Sequence, residues 1–135
     1  MEQPNVLVIV DDLFFLTKIQ TTLKHLGMTG QVITQHVSWQ DYIETAMPPA
    51  LVIVDLTLRM DDAVAVIRTL RATERGGPIP ILAFGSHVAV ETRQQALQAG
   101  ADRVVAKSEF ANHLPDLIQQ CMERGSSEHK ARGKR

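Results

Sequence analysis

Two short apolar runs end in aspartate. Val6-Leu7-Val8-Ile9-Val10 leads into Asp11-Asp12, and Ala50-Leu51-Val52-Ile53-Val54 leads into Asp55. Continuous, β-branched runs of this length, with no polar alternation, predict central parallel strands buried on both faces. Between them Leu13, Leu16, Ile19, Leu23 and Leu26 recur at helical spacing before Gly27, the pattern of an amphipathic helix with a glycine stop. The more polar segment 31–36 predicts an edge strand. Ser38 with Asp41 three residues on then predicts the start of a short helix.

Pro48-Pro49 closes that helix ahead of the Asp55 strand. Asp62 is placed to cap a helix whose apolar positions Val64, Ile67 and Leu70 share one face, and Gly76-Gly77-Pro78 breaks it. A fourth strand is expected over residues 79–84, a helix over 88–99 ended by Gly100, and a short strand over 103–106. Ser108 opens a last helix towards Met122, which Pro115 either interrupts or restarts. Five βα units without an internal repeat predict a doubly wound α/β fold: a five-stranded parallel sheet, right-handed crossovers, and helices on both faces.

At 135 residues the chain has the size of one domain, long enough to bury a core and too short for two ordinary ones. Hydrophobic residues make up 44% and charged residues 21%, a folded rather than a disordered composition. With aromatics at 4%, the core is expected to be aliphatic. The longest apolar runs fall far short of the roughly 20 residues that span a bilayer. Met1-Glu2-Gln3-Pro4 lacks the basic and apolar regions of a secretory signal, so a cytoplasmic location is expected. Cys121, the single cysteine, lies in an apolar-periodic helix, where a buried thiol is expected rather than a nucleophile. The net charge of −1 divides into +3 after Gly125 and −4 before it, a balance that argues against a nucleic-acid-binding core. Residues 1–124 are expected to form the domain, and 125–135 a basic, disordered tail.

In an open parallel sheet the ligand crevice lies beyond the carboxyl ends of the strands, where strand order reverses. Asp11 and Asp12, Asp55, Gly85-Ser86 and Lys107 all follow strands, and they are expected to converge there. A strand-end aspartate taken singly is most often a turn former or a helix cap. Taken together, three carboxylates repel one another unless a cation sits among them. Mg²⁺, which prefers oxygen ligands and keeps several waters, suits such a site. Lys107 supplies a second positive charge, and Asp55 is then the candidate nucleophile towards a phosphoryl donor.

This distribution of residues over all five strands resembles the receiver domains of bacterial two-component signalling, from Val6 to about Met122. Gln98-Ala99-Gly100-Ala101-Asp102 resembles the stretch before that family's last strand. The resemblance implies a flavodoxin-like receiver fold with strand order 2-1-3-4-5. It implies Mg²⁺ bound by Asp11 and Asp12, a phosphoacceptor at Asp55 that also contacts the metal, a metal-binding backbone carbonyl at Thr57, and a phosphoryl contact at Lys107. It further implies phosphoryl transfer from a histidine kinase or phosphotransfer protein, and a downstream protein partner whose identity the sequence does not carry. The chain would not be an enzyme beyond self-phosphorylation and dephosphorylation. Weak homodimerisation is expected through the face formed by residues 88–99, the strand 103–106 and the last helix.

Departures from the family fall mainly on its output positions. Gly85 stands where the family has its switch hydroxyl, Val104 where it has its switch aromatic, and Ser108 where a proline follows the lysine. Ser86 is the candidate substitute hydroxyl and is equally well placed as a helix cap. The family's proline and glycine after the third strand are also missing, with Arg59 and Ala63 near their positions. Two readings follow: a stand-alone receiver phosphorylated on Asp55 that signals by altered protein contact, with no room for an effector domain after Met122, and a phosphorylation-independent pseudo-receiver that serves as an interaction module. Gly85-Ser86-His87 does not make a hydrolase, since adjacent residues do not face one another in attacking geometry and no G-x-S-x-G elbow exists. No G-x-G-x-x-G or Walker A sequence occurs. Two carboxylates after the first strand would also repel a flavin phosphate. Phe14 and Phe15, directly after the acid pair, are expected to pack into the core.

Overall fold

The computed structural model describes residues 4–33, 39–40, 43, 49–58, 62–74, 77–85 and 90–133, with side chains as far as residue 123. Strands β1 (Asn5–Ile9), β2 (Thr29–Val32), β3 (Leu51–Asp55), β4 (Ile81–Gly85) and β5 (Arg103–Ala106) form one sheet in the order β2-β1-β3-β4-β5. Every neighbouring pair is parallel. The helices are α1 (Leu13–His25), α2 (Ala63–Ala72), α3 (Val90–Ala99) and α4 (Lys107–Gly133). Of the helix expected after Ser38, Trp39, Gln40 and Ile43 are helical, and the remainder lies outside the described residues.

The apolar strand runs are continuous because both faces of the sheet are covered. Val6, Val8, Leu51, Ile53 and Leu82 pack with Phe15, Ile19 and Leu23 of α1 and with Leu114, Leu117 and Ile118 of α4. Leu7, Ile9, Val52, Val54 and Ala83 pack on the other face with Val66, Ile67 and Leu70 of α2 and Ala96 of α3. Full burial of each Val, Leu or Ile side chain contributes about 1.5–3 kcal/mol. A polar residue at any of these positions would therefore lose that term and add a desolvation cost. Cys121 is buried in the first of these clusters, as its helical spacing implied.

The strand ends differ from expectation where backbone geometry overrides propensity. β2 starts at Thr29 rather than at residue 31, and residues 34–36 lie outside the described set. α1 stops at Gly27, whose φ of 72° suits a residue without a Cβ. Met28 N then donates back to Leu23 O, and Thr29 N pairs at once with Pro4 O. β4 begins at Ile81 rather than Ile79 because Pro80 has no N–H for a ladder. Its carbonyl still accepts from Val52 N. α4 is kinked at the non-helical His113, and Pro115 falls in the first turn of the second part, where a missing N–H costs nothing. The helical backbone then runs on to Gly133, past the expected end near Met122 and through residues expected to form a disordered tail. Past Pro115 that segment holds no further proline to stop it.

The amino end of the β3–β4–β5 region is tied together by one guanidinium. Arg71, near the end of α2, donates from Nε to Gly100 O (2.8 Å), from Nη1 to Gly77 O (2.7 Å) and to Ile79 O, and from Nη2 to Asp102 Oδ2 (2.6 Å). Asp102 Oδ2 also accepts from Ile81 N at 2.6 Å, at the start of β4. Gly100 has φ +126°, and a Cβ there would run into the Arg71 side chain, so glycine is required on both counts. Arg71→Met, which keeps the apolar stem, strands three carbonyls and a half-buried carboxylate. It is expected to lower unfolding stability by about 2–3 kcal/mol, read from the urea midpoint. Asp102→Asn should cost less, and the double variant less than the sum.

Candidate functional site: the carboxyl edge of the sheet

Register places the acidic residues along one edge. Ile9 pairs with Val54, so Val10 stands level with Asp55, and Asp11 and Asp12 lie just beyond. Asp55 in turn pairs with Phe84 of β4, and Gly85 with Ala106, directly before Lys107.

Asp12 is the N-cap of α1. Its Oδ1 accepts from Phe14 N at 2.9 Å and Phe15 N at 3.3 Å, and its backbone carbonyl takes the first helical bond from Leu16 N. Cap and helix dipole both favour a carboxylate here. Its other oxygen, Oδ2, lies 3.9 Å from Lys107 Nζ. The ammonium also stands over the Phe15 ring, 5.1 Å from its centroid. The structure thus joins Asp12 and Lys107 directly, and Phe15 is the residue that sequence reasoning missed as a support for the lysine. A helical core position next to the acid pair was its only signal.

Beneath the edge lies an aromatic floor. Phe84 and Phe110 stack at 3.9 Å with an interplanar angle of 12°, and Phe15 leans on both at 5.2 and 5.9 Å. These contacts link β4, α4 and α1 under the site. Phe15 packs as expected; Phe14 does not. It is 68% exposed, beside Leu13 at 79%, and its ring meets that of Phe15 in a T-shaped contact. The first turn of α1 directs positions 13 and 14 away from the sheet, because the helix can present only one face to it.

Asp55 is 1% exposed, the one charged residue among the buried ones described. Its Oδ1 accepts from Thr57 N at 2.8 Å and Thr57 Oγ1 at 2.6 Å. The turn is closed by Leu58 N to Asp55 O, and Leu56 N is anchored on Phe84 O. Sequence reading assigned Thr57 its carbonyl alone; the amide and hydroxyl are what hold Asp55. Both donors are neutral, and no ion pair to Asp55 occurs among the described residues. A buried carboxylate compensated only by neutral donors is costly and favours a cation nearby.

The available donors are oxygens, as a hard divalent ion requires. Among the described residues no three His, Cys, Asp or Glu side chains are gathered into a ready-made cluster. Mg²⁺ does not need one, since it is commonly held by one or two carboxylates and several waters. The residues present therefore fit Mg²⁺ as a water-rich site rather than a protein cage. Ser86 and His87 lie outside the described residues. Gly85 ends β4 without a side chain, and Val104 is buried with Ala83, Ala96 and Ala101.

A doubly wound parallel sheet with a buried strand-end aspartate, an acidic pair and a lysine on one edge defines a receiver-type signalling module. Residues 6–119 match the family of response regulator receiver domains, and the chain belongs to it. It is similar to the photosynthetic apparatus regulatory protein RegA of Rhodovulum sulfidophilum, 29% identical over 113 residues, covering 84% of this chain and 60% of that protein. It is 31% identical over 127 residues to the transcriptional regulatory protein QseB of Escherichia coli O157:H7, covering 91% of this chain and 57% of that protein. The chain thus spans a little over half the length of these curated relatives. The CheY-like receiver domain protein of Methanospirillum hungatei has the same fold, with a TM-score of 0.80 at 17% identity over 94% of this chain and 99% of that one. The receiver domain of a LuxO repressor protein from Vibrio parahaemolyticus gives 0.77 at 20% identity, covering 96% and 98%. Receiver domains are modules of two-component signalling that interact with histidine kinases or phosphotransfer proteins. No helix among the described residues is long and apolar enough to cross a membrane.

The two duties of Asp12 are separable. Asp12→Ala removes the cap and is expected to destabilise the protein by about 1 kcal/mol, whereas Asp12→Asn, an equally good cap, should stay within about 0.5 kcal/mol of wild type. Thermal unfolding of both variants beside wild type checks this.

Proposed function

We propose that this chain accepts a phosphoryl group on Asp55 from the phosphohistidine of a kinase or phosphotransfer protein, and passes the signal on through a changed protein contact. The observation that carries this reading is the Asp55 carboxylate, almost fully buried at the end of β3 and held by neutral donors alone. In the transfer, an Asp55 carboxylate oxygen forms the bond to phosphorus while the bond from phosphorus to the histidine nitrogen breaks, and that nitrogen keeps the electron pair. Asp11, Asp12, Asp55 and the Thr57 carbonyl would hold Mg²⁺. When bound, the ion neutralises charge on the phosphoryl oxygens. Lys107, steadied by Asp12 and the Phe15 face, is the fixed ammonium for the added charge. Phosphorylation brings nearly two negative charges to a dry edge, enough to redraw the loops around it.

The output face we assign is α3, β5 and α4. Val90 and Leu97 are both exposed and stand two turns apart on one side of α3, which suits a protein partner or a second copy of the chain. Ser86 is the hydroxyl we assign to the switch. The second reading, a phosphorylation-independent pseudo-receiver, draws on Gly85 and the buried Val104, which leave the positions of the family's hydroxyl and aromatic pair without either group.

Intact mass after incubation with acetyl phosphate separates the two readings. A single phosphoryl adduct is expected in Mg²⁺, absent with chelator and absent in Asp55→Ala. If wild type gains no adduct under conditions that modify a control receiver, the pseudo-receiver takes its place.

A further inference from the structure

Lys107, the first residue of α4, has two supports of different kinds. One is Oδ2 of Asp12 at 3.9 Å, beyond hydrogen-bond reach and between side chains that are 26% and 39% exposed, so solvent and salt screen the attraction. The other is the Phe15 ring, with Nζ over its face at 5.1 Å from the centroid. That distance lies within the range at which the negative face of an aromatic ring attracts an ammonium. Phe15 is buried, and its place is fixed twice over. Its N–H donates to Oδ1 of Asp12 at 3.3 Å, and its ring rests on Phe84 and Phe110. A rigid ring thus faces a long, flexible stem that has much rotamer freedom to lose.

We infer that Phe15 is a positioning residue for Lys107, its ring holding the ammonium at the site by cation–π attraction when a divalent cation occupies Asp12. The inference rests on the phosphoacceptor reading of Asp55 and names what keeps the lysine in place once that site is loaded. Oδ1 of Asp12 accepts from the N–H groups of Phe14 and Phe15, which fill its two in-plane lone pairs. A cation at Asp12 is therefore taken by Oδ2, the oxygen that faces Lys107. An ion there sets positive charge beside the ammonium and offsets the carboxylate charge that draws it. The ring carries no charge for the ion to offset and offers it no oxygen. Its attraction for the ammonium therefore persists in the loaded site, where the Asp12 support is weakened. A leucine at position 15 would fill much of the same apolar space and leave Lys107 without that support.

The test uses the full chain with Mg²⁺ and acetyl phosphate, and replaces Phe15 by 4-fluoro- and 3,4,5-trifluorophenylalanine, which drain charge from the ring face at nearly constant shape. Two quantities are read. The first is the NMR shift of the Lys107 ε-methylene protons, which a ring beneath them moves upfield. That displacement is expected in wild type, to remain when Mg²⁺ saturates the amide shifts of residues 11 and 12, and to be lost in Phe15→Leu. The second is the rate of Asp55 adduct formation in Mg²⁺, expected to fall stepwise along the fluorine series to about three- to tenfold below wild type. A ring that serves only as core packing would leave that rate level across the series, since its shape hardly changes. A level rate, or an upfield displacement that disappears as Mg²⁺ binds, therefore overturns the inference. Failure of the underlying reading looks different. If the amides of residues 11 and 12 ignore Mg²⁺, or wild type gains no adduct, the phosphoacceptor reading falls and takes the inference with it. If both responses occur and the fluorine series or the Lys107 displacement fails, only the role of the ring falls.

Discussion

A parallel sheet covered by helices on both faces leaves charge no tolerable place except at the ends of its strands, and the whole organisation of this molecule follows from that. β3 carries Leu51, Val52, Ile53 and Val54 fully buried, and its first charged residue, Asp55, comes at the last position of the strand. Even there the carboxylate is shielded from water, so the turn that follows has to supply hydrogen bonds in place of solvent. Thr57 supplies them with its amide and hydroxyl. What they do not supply is positive charge, so this buried carboxylate has no cationic partner among the described residues.

The two ends of the sheet resolve their charges in opposite ways. At the amino end, Arg71 meets Asp102 and three backbone carbonyls in a closed set of bonds, with Gly100 cleared of a side chain to let it through. At the carboxyl end Lys107 reaches Asp12, while Asp55 has no ion pair among the described residues. The stacked Phe84 and Phe110, with Phe15 above them, make that end dry and rigid from below. Rigidity of this kind keeps the few polar groups where the strands put them.

The output positions obey the same packing logic. Val104 is buried in the core cluster that also holds Ala83, Ala96 and Ala101, and enlarging a residue in a packed core is costly. Any signal leaving this edge travels by a route that does not swing an aromatic at position 104. The exposed Val90 and Leu97 on α3 offer one contact face, and the exposed Leu13 and Phe14 on α1, beside the acidic pair, offer another.

The periodicity of the chain was sufficient for the class of fold and for the side of the sheet that carries chemistry, because two-sided burial demands continuous apolar runs and the first charged residue after each run marks its end. The helix cap at Asp62 and the stops at Gly27 and Gly100 were legible for the same reason, since they depend on backbone geometry within a few residues. Tertiary structure alone decided what long-range contacts control. Pairing with β1 drew the polar Thr29-Gly30 into a strand that propensity would have started later. Helix orientation buried Phe15 and exposed its neighbour Phe14. Arg71 reached Gly100 and Asp102, 29 and 31 positions away, only through the folding of α2 against the sheet. The inward turn of the Thr57 hydroxyl was equally out of reach, for a side-chain rotamer is chosen by the burial of its partner, and that burial exists only once the sheet has closed around Asp55.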